Sequence, residues 1–166
     1  MNYLNIEINK LTPIASNLNT LLASYQVYYQ NLRSFHWHIR GNHFIQLHKL
    51  FEELYTQANE TIDDLAERIL TLKHKPLGSM KDYLSHTEIS EAADQLQDIE
   101  MLEVILENHQ QLILKIRHTI SECSEVGDEG SIDLLSGILG KLEKRSWMID
   151  TFLGSHKLNR SVSLAN

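Results

Sequence analysis

Apolar residues recur at helical spacing through almost the whole chain, and only two prolines and seven glycines interrupt 166 residues. That single feature excludes most architectures, because a period near 3.6 cannot line one face of a strand. The pattern predicts a first helix from Thr12, a good N-cap followed by Pro13, to about Arg40, with Gly41 as its stop. Its inward face reads Leu18, Leu21, Leu22, Tyr25, Tyr29, Leu32 and Phe35. A second helix is expected from His43 to Lys73, capped by Asn42 and ended by Pro76 and Gly78, with Leu47, Phe51, Leu54, Tyr55, Ala58, Ile62, Leu65 and Ile69 facing in. Residues 79–93 read as a crossover with one short helix. Two further helices are expected over 94–125 and 131–154, separated by the turn "GDEG", with short tails before residue 12 and after Gly154.

Four long helices with a lengthy connection between the second and third define an all-α fold, a ferritin-like four-helix bundle with one crossover. The length fits a single domain over 1–166 with a substantial core. No internal repeat or low-complexity segment is present. No run approaches the roughly 20 apolar residues of a membrane span. Residues 1–19 show no basic region followed by an apolar run, so no signal peptide is expected. Cys123 is the sole cysteine, which excludes an internal disulfide or a multi-cysteine zinc site and points to a reducing compartment, the cytoplasm. A net charge of −7 disfavours nucleic acid as a partner of the whole body and favours cations.

Residues 35–53, "FHWHIRGNHFIQLHKLFEE", concentrate four histidines and two carboxylates around the first helix junction. On a wheel of about 100° per residue, with His48 at zero, Glu52 falls near 40°, Asp63 near 60° and Glu67 near 100°. The four form one polar stripe beside the buried face, and His36, one turn after Leu32, points to the same neighbourhood. His48 and Glu52 are one turn apart, as are Asp63 and Glu67. The two pairs lie about 22 Å apart along the axis at ~1.5 Å per residue, too far to hold one ion within one chain. Two copies of the helix packed antiparallel about a twofold axis would bring them together and make two equivalent sites. Nitrogen and oxygen donors without thiolate suit iron, manganese or zinc. The plainer reading is a solvated face paired with lysines, and helical spacing permits either.

Three spaced blocks carry a resemblance. His36-Trp37-x-x-Arg40-Gly41-x-x-Phe44-x-x-x-His48, Phe51-Glu52-Glu53-Leu54-Tyr55 and Asp63-x-x-Ala66-Glu67-Arg68 resemble the signature of the Dps family, the mini-ferritins. "KPLGSMKDYL", "GDEGSIDLLS" and "SWMIDTFLG" resemble that family's crossover, last turn and last helix. The resemblance implies a hollow homododecamer built from twofold dimers, with ferroxidase sites at the dimer interfaces. It implies His36, His48 and Glu52 from one subunit and Asp63 and Glu67 from its partner as catalytic metal ligands. Glu52 stands where many relatives carry aspartate, and it reaches one methylene further. The implied reaction is oxidation of Fe(II), preferably by hydrogen peroxide and otherwise by oxygen, with ferric mineral stored inside and oxidative damage averted. Zinc and manganese are the competing metals. Trp37, beside His36, either packs at the interface or intercepts radicals.

The resemblance also implies pores on threefold axes through which iron passes, and Asp128, Glu129 and Asp133 are the candidates to line them. Carboxylates at a helix N-terminus are equally expected from the dipole alone. His38 and His43 read as surface or interface residues first and accessory ligands second, and His74, His86, His109, His118 and His156 show no ligand spacing. The alternative function is a DNA-compacting protein with incidental metal binding. Lys10 is the only lysine before the first helix, and Lys157 and Arg160 are the cations of the last residues, so DNA binding is expected to be weak or absent. A larger ferritin with its di-iron site inside one bundle would need Glu-x-x-His on two helices. No glutamate here is followed by histidine at that spacing.

Overall fold

The computed structural model describes residues 3–164, and their side chains as far as Gly154. The elements are α1 (Ile8–His38), α2 (Phe44–Thr71), α3 (Met80–His86), α4 (Asp98–Val126) and α5 (Glu129–Leu164), with no strand among the described residues. α1 packs chiefly on α2 and α4 on α5, and α1 closes the bundle against α4. The core is one cluster running from Leu11 and Ile14 through Leu32, Phe51, Leu65, Leu102 and Ile116 to Leu135 and Ile149.

Several helix ends differ from expectation for local reasons. α1 starts at Ile8, because burial of Leu11 and Ile14 draws another turn into helix. Thr12 therefore does not cap it; its hydroxyl bonds back to the Ile8 carbonyl at 3.4 Å. α2 stops two residues before Lys73 and well short of Pro76. Lys73 takes the left-handed conformation (φ +64°), and His74 and Lys73 donate to the carbonyls of Ile69 and Leu70 at 3.1 and 2.9 Å. This Schellman arrangement closes the helix without glycine. α4 begins at Asp98 rather than 94, where Glu100 reaches back to the Gln97 amide at 2.7 Å. It ends at Gly127 in the left-handed region, φ +73°. The last helix does not stop at Gly154, whose φ is not positive, and runs on to Leu164. The side chains of His156, Lys157 and Arg160 lie outside the described residues.

The crossover is tied to α1 by side chains spaced along its length. Asn19 accepts from the Leu77 amide (2.8 Å) and donates to the Lys75 carbonyl (3.1 Å). Ser24 accepts from the Glu88 amide (3.0 Å). Asn31 accepts from Ala92 (2.9 Å) and donates to Ser90 (3.0 Å). These polar residues satisfy the irregular backbone that a helix face of leucine would leave unpaired. No described helix is long and apolar enough to cross a membrane.

Candidate metal centre

Two histidines from consecutive helices meet where α1 ends and α2 begins. Gly41 (φ +103°) turns the chain between them, a conformation open to glycine and costly for other residues. Ile39 is buried at the turn and fixes how the two helices diverge. The His36 and His48 rings then stack with centroids 3.8 Å apart. His36 Nδ1 lies 2.8 Å from the His48 carbonyl, and His48 Nδ1 lies 2.9 Å from the His36 carbonyl. The exchange has a local cause, since the His36 carbonyl lies in the last turn of α1, where intrahelical donors run out.

This exchange decides the chemistry. A carbonyl only accepts, so each Nδ1 must carry the hydrogen, and each Nε2 is left with its lone pair. Two imidazoles locked in one tautomer by backbone acceptors are the form in which histidine binds metal. Tyr55 of α2 stands edge-on to His36 (5.4 Å), and Phe44 stacks on His48 (5.0 Å).

Glu52 is exposed one turn beyond His48, while its neighbour Glu53 is engaged by Arg145 at 3.3 Å. Asp63 and Glu67 are exposed further along α2. Among the described residues no ion pair involves Glu52, Asp63 or Glu67, so the stripe is not neutralised by lysines of its own chain. Nor does any group of three or more histidine, cysteine or acidic side chains among them converge on a point within the chain. One chain thus brings His36 and His48 together and keeps Asp63 and Glu67 apart from them. Trp37 is 56% exposed, with the Arg33 guanidinium 4.8 Å over its ring, so within one chain it is not a core residue.

The three acidic residues near Gly127 separate into two kinds. Asp128 is only 2% exposed and is ion-paired to Arg68, and its Oδ1 accepts from the Ser131 amide at 3.2 Å. It caps the start of α5 and is not free to line a channel. Glu129 and Asp133 are exposed one turn apart. Arg68 also donates to Ser131 Oγ (2.9 Å), and a Cβ at Gly130 would lie 2.8 Å from its guanidinium nitrogens. Sequence reading gave Arg68 no role of its own, although an arginine next to Glu67 and a glycine at 130 were both visible. It also gave none to His109, which is buried between Tyr28 and Ser146, and it read His43 as a surface or interface residue, whereas that ring meets Asp98 at 2.7 Å.

A four-helix bundle with a short helix in its crossover is a ferritin-like protein. The family model of the ferritin-like domain matches residues 15–159. The chain is similar to DNA protection during starvation protein 2 of Bacillus anthracis, 38% identical over 82% of this chain and 93% of that one. It is also similar to general stress protein 20U of Bacillus subtilis, 35% identical over 82% and 94%. The crystal structure of a Dps protein from Vibrio cholerae O1, described as one of the ferritin-like diiron-carboxylate proteins, superimposes with a TM-score of 0.89 at 37% identity, covering 92% of this chain and 96% of that one. The chain belongs to the Dps family of ferritin-like proteins.

Proposed function

We propose that the protein is an iron-oxidising mini-ferritin whose reaction site is shared between two subunits. The observation that carries this reading is the reciprocal lock of His36 and His48, which occupies both Nδ1 atoms and leaves Nε2 of each stacked ring as its available donor. Glu52 lies on the same stripe of α2. Asp63 and Glu67 of a twofold partner supply the remaining ligands, because the same chain's pair is about 22 Å away along the helix.

Iron is the substrate. Two Fe(II) ions give one electron each, hydrogen peroxide takes both electrons and two protons, and two waters and two Fe(III) result. No hydroxyl radical is released when both electrons arrive together. Oxygen serves as a slower oxidant, and zinc and manganese compete for the same donors. Carboxylate oxygens stabilise the ferric state over the ferrous, so Glu52, Asp63 and Glu67 drive the reaction forward. An imidazole with its hydrogen on Nδ1 holds Fe(II) through Nε2 without adding charge. The product is stored as ferric mineral within a homododecamer in the bacterial cytoplasm, and Glu129 and Asp133 line the path inward. DNA binding is weak or absent on this reading, given the net charge of −7.

Stopped-flow oxidation of Fe(II) by peroxide and by oxygen, with mass measurement of the assembly, tests the reading. The double variant His36→Ala/His48→Ala is expected to keep the shell and lose at least about a hundredfold in peroxide-driven rate, the scale on which metal sites respond to loss of ligands or their supports. Equal rates in both proteins would make the stripe structural.

A further inference from the structure

The middle of the bundle holds a buried polar set that the histidine pair does not use. Tyr28 on α1 and His109 on α4 are both closed to solvent, 2% and 1% exposed. The phenol oxygen lies 2.7 Å from His109 Nε2. His109 Nδ1 lies 2.8 Å from Ser146 Oγ on α5, and the Ser146 hydroxyl already donates to the Leu142 carbonyl at 2.7 Å. A hydroxyl has one hydrogen, so Ser146 must accept from His109 Nδ1–H. Nε2 is then the lone-pair nitrogen, and Tyr28 O–H donates to it. The protons of the chain Tyr28–His109–Ser146–Leu142 are fixed by geometry.

A line of rings joins this pair to the candidate metal centre. His36 is 5.4 Å from Tyr55, Tyr55 is 6.1 Å from Tyr29, and Tyr25 is 6.0 Å from Tyr28. Tyr25 and Tyr29 are one turn apart on α1, which sets their Cβ atoms about 6 Å from each other. Tyr28 and His109 meet edge to face at 5.4 Å. Four tyrosines thus link the His36 ring to a buried phenol, that of Tyr28, which has a base in place; they form two ring-contact pairs joined by one helical turn of α1 between Tyr25 and Tyr29.

A phenol gives up an electron readily only when its proton can leave with it. Burial pushes the Tyr28 hydroxyl well above its ordinary range, so it does not ionise beforehand. Burial also holds His109 down to about 4, so at neutral pH the imidazole is unprotonated and able to accept.

We propose that Tyr28, coupled to His109, is a one-electron donor to the iron site through Tyr25, Tyr29 and Tyr55, used when hydrogen peroxide meets a site holding a single Fe(II). The proposal rests on the ferroxidase reading. Fe(II) gives one electron and Tyr28 gives the second. Peroxide takes both with two protons from water, its O–O bond breaks, and two waters form. The Tyr28 proton passes to His109 Nε2, which leaves a neutral tyrosyl radical beside an imidazolium. The next Fe(II) to arrive returns the electron and becomes Fe(III), and the proton goes back from His109 to Tyr28. The overall ratio stays at two Fe(II) per peroxide, and no hydroxyl radical is freed.

The test is freeze-quench electron paramagnetic resonance of the assembled protein, with fewer Fe(II) ions than sites and excess peroxide. Wild type is expected to give a tyrosyl signal that decays when more Fe(II) is added. Tyr28→Phe, which keeps the ring volume, is expected to lose that signal while oxidising iron at the wild-type rate when both ions are supplied. His109→Gln keeps an acceptor but not a base, and is expected to lower the yield of radical while Tyr28 remains. An unchanged signal in Tyr28→Phe would overturn the proposal. So would the lack of any tyrosyl signal in a wild type that oxidises paired iron normally, and in that case the ferroxidase reading would stand. A wild type that oxidises no iron would overturn both.

Discussion

Histidine plays opposite parts at two places in this molecule, and the difference lies in what each ring faces. His36 and His48 are half-exposed, and their Nδ1 hydrogens are spent on backbone carbonyls, so on the proposed reading Nε2 of each is the atom kept for an ion. His109 spends both nitrogens inside, on Tyr28 and Ser146, and burial depresses its pKa to about 4. A histidine whose folded pKa lies below its unfolded value of about 6.5 binds fewer protons folded than unfolded in the interval between them. The stability it protects is therefore complete above about pH 6.5 and is lost as pH falls toward 4, an effect on the order of 3 kcal/mol. Thermal melts of wild type between pH 7 and 4.5 are expected to fall more steeply than those of His109→Gln, which cannot take up the proton. Parallel curves would mean that another group governs the acid limb.

At the scale of helices, most of the architecture could be read from spacing, because a 3.6-residue apolar period persists over many turns in each long element. The ends could not. Lys73 terminates α2 in a conformation that composition gives no reason to assign to lysine, and Gly154 continues a helix that glycine commonly ends. Ends depend on a few hydrogen bonds whose partners are distant in sequence, as when α1 side chains hold the crossover. The same limit applied to the site. Helical spacing placed Glu52, Asp63 and Glu67 on one stripe of α2, yet the mutual bond of His36 and His48 depends on how Gly41 turns the chain. Asp128 shows it most clearly: acidity suggested a channel wall, whereas Arg68 from α2 claims it. That pair joins the half of α2 bearing Asp63 and Glu67 to the start of α5. Asp128 is buried and its Oδ2 has no hydrogen-bond partner among the described residues, so Arg68→Ala would strand a buried charge. Breaking such a pair from one side costs about 3–5 kcal/mol. Urea unfolding is expected to show a loss of that order, and Arg68→Ala/Asp128→Asn should recover much of it. A loss below about 1 kcal/mol, the usual worth of a surface pair, would show that water replaces the guanidinium.

For the whole molecule, the decisive matter is the proposal that one chain carries both halves of a site it cannot complete alone. His36, His48 and Glu52 lie at one end of α2, and Asp63 and Glu67 lie some 22 Å along the same helix. On the proposed arrangement a twofold partner running the opposite way would supply what each chain lacks, and this makes a prediction that no intrachain site shares. Take one variant without nitrogen ligands, His36→Ala/His48→Ala, and a second without the facing carboxylates, Asp63→Asn/Glu67→Gln. Each alone is expected to form shells that oxidise Fe(II) slowly. When the two are dissociated, mixed in equal amounts and reassembled, half of the dimers are mixed. Each mixed dimer has one site with every ligand and one with none of the altered groups intact, so about a quarter of all sites recover. Activity near that fraction of wild type, from two inactive parents, requires that ligands cross the interface. If mixing restores nothing although mass measurement shows mixed shells, the histidines and carboxylates do not belong to one site, and the arrangement proposed for α2 and its partner fails with it.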